Sequence, residues 1–138
     1  MTSDISERLR EEVGNRAKHR CEYCLISEAD SGFRLQIDHV VSRKHGGTTS
    51  VDNLALSCII CNRYKGTDVA SIHVITGELA SLFNPRRDRW ADHFQIRGER
   101  IEGLTPTGSV TSRLLRMNAP ERLLERRLLQ VLGAYPKS

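Results

Sequence analysis

"LQIDHVVSRKHGGTTSVDNLALSCIICNRYKG", residues 35–66, holds an Asp-His pair (Asp38, His39), a paired glycine (Gly46, Gly47), an Asp-Asn pair (Asp52, Asn53), a Cys-x-x-Cys (Cys58, Cys61) and an Asn-x-x-Lys (Asn62, Lys65). Few segments this short concentrate so many metal-seeking and hydrogen-bonding side chains. The stretch "FRLQIDHVV" is β-prone, with Ile37, Val40 and Val41 as branched positions. "SRKHGGTTS" reads as a loop in which Gly46-Gly47 supplies unusual dihedrals, and "NLALS" as a short strand. From Cys58 the pattern suits a short helix that stops at Gly66.

Upstream, "CEYC" supplies a second pair, Cys21 and Cys24, and the chain has no other cysteines. Two matched Cys-x-x-Cys pairs fit a tetrahedral Zn(II) site on Cys21, Cys24, Cys58 and Cys61, each pair forming a knuckle of soft thiolate ligands. Four buried cysteines acting as small apolar residues, or a redox Cys-x-x-Cys, are the bland alternatives, and the duplication argues against both. With all four positions filled by protein, such a zinc is structural and leaves the chemistry to other residues.

The rest of the chain sets the frame. At 138 residues it is expected to be one compact domain, or a small domain with an appendage. Hydrophobic residues make up 38% and aromatics 5%, so a metal cross-link would carry much of the stability. No apolar run approaches a membrane span, and "MTSDISERLREE" lacks the basic and apolar regions of a signal peptide, so a reducing, cytoplasmic location is expected. That location favours metal binding over disulfides. The net charge of +4 is uneven: residues 1–84 hold 10 Lys+Arg against 11 Asp+Glu, and residues 85–138 hold 11 against 6. A basic segment beside a metal site suggests a polyanionic partner.

Outside the opening stretch, Ile5, Leu9, Val13 and Ala17 predict an N-terminal helix with Asp4 and Glu7 as a capping box. "NPRRDRW" reads as a turn, and "HFQIRGERIEGLT" as a hairpin with Phe94, Ile96 and Ile101 alternating. A helix from about Gly108 would bury Val110, Leu114 and Leu115. A last helix is expected after Asn118, with Pro120 in its first turn, Glu121 completing a capping box, and Leu124, Leu128 and Val131 or Leu132 on one face. Arginines such as Arg122, Arg126 and Arg127 include surface charges expected to pair with Glu121 or Glu125. His19, His73 and His93 show no partner pattern, His45 in the loop reads as a solvated histidine with a phosphate contact as the alternative, and Trp90 reads as a core plug. Lys65 is divided between a phosphate contact and a helix-end lysine complementing the dipole.

A zinc link between the cysteine pairs would bring the strand bearing Asp38-His39 against the helix bearing Asn62. A carboxylate, an amide oxygen and an imidazole then converge, an inventory suited to a hard divalent ion with a neighbouring general base. Hydrolysis of a phosphodiester needs both: histidine titrates near neutral pH, and a cation offsets charge on the leaving oxygen.

In Cys-x2-Cys, "IDHVVSRKHGG" and "DNLALSCIICNRYKG", in that order, the chain resembles the HNH endonuclease family from Cys21 to Gly66. The resemblance implies an α+β fold: a treble-clef-like ββα-metal core with structural zinc, an N-terminal helix, and a C-terminal hairpin plus helices. Residues 1–84 would form the nuclease core and residues 85–138 a basic extension packed on or beside it. It further implies His39 as the base that activates water, Asp38 and Asn62 as ligands of a catalytic Mg2+ or Mn2+, and Asn53 as a residue bonding backbone near His39 to orient the imidazole. The third motif position is asparagine where histidine is frequent, making this a His-Asn-Asn version. The implied partner is DNA, bound by a monomer or homodimer. Two other classes compete: a non-catalytic zinc module that binds nucleic acid or protein, which has no need of Asp38-His39 with Asn62, and a ubiquitin-ligase type of zinc domain, which would need a second zinc site.

Overall fold

A computed structural model describes residues 5–137. Ser6 caps the first helix, α1 (Glu7–Arg16), its side chain accepting from the Leu9 amide at 3.1 Å. The capping box expected of Asp4 falls on a residue outside the described ones. α1 buries Val13 and leads to the turn carrying Cys21 and Cys24. A short helix not foreseen from the sequence, α2 (Glu28–Ser31), follows.

The stretch that opened the reading folds as two strands and a helix. β1 (Gln36–His39) pairs antiparallel with β2 (Leu54–Ser57), placing Gln36 opposite Ser57 and His39 opposite Leu54. α3 (Ile59–Lys65) starts immediately after β2, with Cys58 as its N-cap, and ends at Gly66, whose φ of 53° suits glycine. A hairpin absent from the sequence expectations comes next: β3 (Ala70–Ile72) against β4 (Leu79–Ser81). Its Ile72 and Leu79 stay exposed, so no buried face imprinted an alternation on the sequence.

The C-terminal part comprises α4 (Trp90–His93), the expected hairpin β5 (Phe94–Arg97) with β6 (Arg100–Gly103), α5 (Pro106–Leu114) and α6 (Pro120–Val131). α5 begins ahead of Gly108 because the Thr105 hydroxyl caps it and Pro106 fits its first turn. Among the described residues every sheet is two-stranded, and the fold is a mixed α+β arrangement of hairpins and helices. No helix in them is long and apolar enough to cross a membrane.

One buried cluster joins the two ends of the chain, including Val13, Tyr23, Leu35, Leu54 and Leu56 with Phe83, Phe94, Ile101, Leu115, Met117 and the four cysteines. Phe83 meets Tyr23 and Phe94 edge-on at centroid distances of 6.3 and 5.4 Å. Trp90 stacks on Phe94 at 5.0 Å and donates its indole N–H to the Tyr23 carbonyl at 2.8 Å.

α6 is turned opposite to its hydrophobic pattern. Leu124 and Leu128 are each 57% exposed and Val131 and Leu132 more so, whereas Arg122 and Arg126 are buried. The cause is what faces the helix: carbonyl oxygens at and just past the end of α5 and in the β5–β6 turn. Arg122 Nη1 donates to Leu115 O at 2.9 Å, and Arg126 donates from Nε to Glu99 O at 2.7 Å and from Nη2 to Met117 O. A guanidinium supplies five donors for such a wall and leucine supplies none. The expected pairing of these arginines with Glu121 or Glu125 is absent among the described ion pairs. Nor does the Glu121 capping box form: Ala119 is the N-cap without a side-chain bond, and the Asn118 side chain instead bonds both backbone groups of Ile101. Arg126→Ala is therefore expected to lower stability by about 1–3 kcal/mol in urea unfolding, since it strands buried carbonyls. Leu128→Gln should stay within roughly 0.5 kcal/mol of the parent.

Candidate metal centre and active site

The four sulfurs lie within 4.8 Å of one another, and all four cysteines are buried and unbonded to each other. Backbone geometry prepares them: the Tyr23 and Cys24 amides point at Cys21 Sγ, and the Cys61 amide at Cys58 Sγ, each at 3.4 Å. Cys24 Sγ and Cys58 Sγ are 3.7 Å apart, too far for a disulfide. A tetrahedron with metal–sulfur bonds near 2.3 Å has an edge of about 3.8 Å, so the donor set fits zinc in kind and in size.

This cluster has an outer partner that the sequence reading missed. Arg122 Nη2 donates to Cys61 Sγ at 3.3 Å and lies 3.7 Å from Cys58 Sγ. Burial works against its charge, but the sulfurs of Cys61, Cys24 and Cys58 more than offset this and hold the guanidinium above its ordinary range. Tyr135 adds a hydrogen bond from its hydroxyl to Cys24 O at 2.7 Å. Neither residue carries a motif; only their place in the fold reveals them.

Asp38 sits on the face of β1 that looks toward α3, and it is buried. Tyr23 donates its hydroxyl to Oδ2 at 2.7 Å, and the Lys65 ammonium lies 3.2 Å from Oδ2 and 3.3 Å from Oδ1. The same ammonium reaches His39 O and Val40 O, each at 3.2 Å. Lys65 is thus neither a phosphate contact nor an exposed helix-end charge. It is a buried cation, 2% exposed, tying α3 to the end of β1. Burial raises the Asp38 pKa above the carboxylate norm despite the lowering effect of Lys65 and Tyr23.

Asn62 joins the same face by donating to Gln36 Oε1, two residues along the strand from Asp38. Among the described residues its Oδ1 accepts no hydrogen bond. An open amide oxygen beside a carboxylate with remaining lone-pair capacity is a set that a hard divalent ion accepts.

His39, next along the strand, projects to the opposite face, so its imidazole does not converge with Asp38 and Asn62 on one face as the sequence led one to expect. There its Nε2 lies 2.9 Å from Thr49 Oγ1. Asn53 stays clear of the ring: Oδ1 accepts from the Val41 amide at 3.0 Å, and Nδ2 donates to Val41 O and Thr48 O, both at 2.8 Å. One amide side chain thereby closes the loop between β1 and β2 at both ends and holds Thr49 beside the imidazole. Gly47 makes the closure possible, because a Cβ there would stand 1.7 Å from Val41 O and 2.7 Å from Asn53 Nδ2. Thr49 is the orienting contact that sequence reading overlooked; the Gly-Gly-Thr-Thr run marked a loop but not which hydroxyl returns to the ring. His19, His73 and His93 bond Asn15, Thr76 and Thr105, and His45 is exposed on its turn.

Fold and site together define a small α+β protein built on a four-sulfur cluster, with an Asp-His strand and an asparagine-bearing helix beside it. Residues 21–68, roughly a third of the chain, match the model of the family described as HNH endonuclease. No curated protein and no solved structure matches the chain.

Removing Lys65 leaves the Asp38 carboxylate buried without its counter-charge. Lys65→Ala is expected to cost about 3–5 kcal/mol in equilibrium unfolding, with Tyr23→Phe costing less. Parity of Lys65→Ala with the parent would show that Asp38 reaches solvent.

Proposed function

We propose that this chain is a metal-dependent DNA endonuclease that hydrolyses phosphodiester bonds, with a structural Zn2+ on Cys21, Cys24, Cys58 and Cys61. The observation that carries the proposal is the HNH match over the segment in which a buried four-sulfur cluster fixes β1 and α3 side by side. Residues 1–84 supply the chemistry, and residues 85–138 a basic extension that completes the core and bears much of the DNA-facing charge. A cytoplasmic location would keep the thiols reduced.

In this reading His39 is the general base. With Nε2–H donating to Thr49, the lone pair of Nδ1 is directed away from the threonine and takes the proton of the attacking water. Asn53 and Gly47 act through the loop, holding Thr49 against the ring so that the imidazole keeps its orientation. Asp38 and Asn62 would hold Mg2+ or Mn2+, which supplies Lewis-acid stabilisation of charge on the scissile phosphate and leaving oxygen. Tyr23 and Lys65 keep the Asp38 carboxylate oriented.

A non-catalytic nucleic-acid-binding module is the second reading, and one observation favours it: Lys65 already places a cation on Asp38. Supercoiled plasmid incubated with Mg2+ or Mn2+ separates the two. The nuclease reading expects nicked or linear product from the parent and a loss of about 10²–10⁴-fold with His39→Ala, at unchanged zinc content. Thr49→Val and Asn53→Ala should each lose roughly ten- to a hundredfold through misorientation of the ring. Parent protein that binds plasmid but never cuts it favours the binding module.

Metal analysis of purified protein is expected to find about one equivalent of zinc, lost together with the fold on prolonged chelation.

A further inference from the structure

Three arginines outside the candidate active site surround one open concavity. Arg100 at the start of β6, Arg113 in the last turn of α5 and Arg116 just past it line a space of about 360 Å³ with Ser112, Asn118 and Ala119. All three are exposed, and none joins an ion pair among the described residues. This contrasts with other arginines of the C-terminal part, where Arg86 pairs with Glu22 and Arg122 and Arg126 are spent on buried sulfurs and carbonyls. Three unpaired like charges around one hollow repel one another, and an anion relieves that repulsion.

Arg116 carries the argument further. It occupies the residue after the C-cap of α5 with a φ of 52°, in the left-handed region. Its amide donates to Arg113 O at 3.1 Å and the Met117 amide to Ser112 O at 2.9 Å, the paired bonds of a Schellman ending. Glycine is the usual occupant of that position, because a side chain there is strained. Here the site bears a long cationic side chain, laid over the Tyr64 ring with its guanidinium carbon 4.7 Å from the centroid. Helix carbonyls that would oppose an anion are covered from within, since Arg122 takes those of Leu115 and Arg116.

Tyr64 and Asn62 are two residues apart on α3, which places them on nearly opposite faces of that helix. The exposed Arg63 lies between them in sequence. Arg63 thus adds an exposed cation to the stretch of α3 between the Asn62 side and the ring on which Arg116 lies.

We propose that Arg100, Arg113 and Arg116 form a second phosphate-binding site that grips the backbone of duplex DNA away from the bond being cut. The proposal rests on the nuclease reading for the identity of the polyanion, and it assigns these residues to binding rather than to the chemical step. Backbone contacts of this kind position a duplex without reading its sequence.

The test uses full-length protein and a fluorescently labelled duplex, with anisotropy measured across a salt series. It compares the parent, Arg116→Gly, Arg113→Gln and the triple variant Arg100→Gln/Arg113→Gln/Arg116→Gly. The triple variant is expected to bind at least tenfold more weakly at low salt, with a slope of log affinity against log salt shallower by about two to three. Arg116→Gly is the discriminating variant: glycine relieves the left-handed strain, so its thermal midpoint should equal or exceed the parent's while DNA affinity falls. Unchanged affinity and slope in the folded triple variant would overturn the proposal. Parent protein that cuts no DNA, combined with weaker DNA binding by the triple variant, would defeat the nuclease reading and leave this site standing.

Discussion

Four sulfurs held within 4.8 Å of one another are the constraint on which the rest depends. Without a cation among them, four buried thiols in this arrangement either stay protonated or repel as thiolates. A metal ion resolves this and converts two distant loops into one rigid joint. The joint fixes β2 and the start of α3, because Cys58 is at once a donor to the cluster and the N-cap of the helix. Everything on α3 inherits that position: Asn62 one residue beyond Cys61, and Lys65 one turn further, reaching back to Asp38 and the end of β1. A chain with so little aromatic material gains from such a joint the definition that a larger core would otherwise supply.

Legibility from sequence followed the range of the interactions. The cysteine pairs, the Asp-His strand, the β5–β6 hairpin and the Gly66 helix stop were readable because each is local: spacing, alternation or a special dihedral writes itself into neighbouring residues. The Asn53 clamp was readable in outline, since the HNH resemblance implies a backbone-bonding role for that residue. Thr49 against His39, Tyr23 and Lys65 on Asp38, and Arg122 on the sulfurs were not, because each is a contact between side chains whose approach only the folded chain determines.

The misreading of α6 has a physical lesson. Hydrophobic periodicity assumes that the interior offers apolar surface to whatever packs against it. Here the interior offers carbonyls from the end of α5 and the β5–β6 turn and the cysteine sulfurs, so hydrogen-bonding capacity outweighed apolar area and the arginines turned inward. The same inversion changes how the basic C-terminal composition should be read. Charge counted along the sequence overstates what reaches a polyanion, since part of it is consumed as internal donors.

The separation of Arg122 from its sulfur partners gives folding a temporal order. Cys61, the last of the four cysteines, precedes Arg122 by 61 residues, and the Tyr135 bond to Cys24 O spans 111. On a ribosome the complete cluster emerges well before the guanidinium that balances it and before the tyrosine that closes its far side. The nascent cluster must therefore be neutralised at first by metal and water alone, and its final electrostatic environment is set only when the last helix docks.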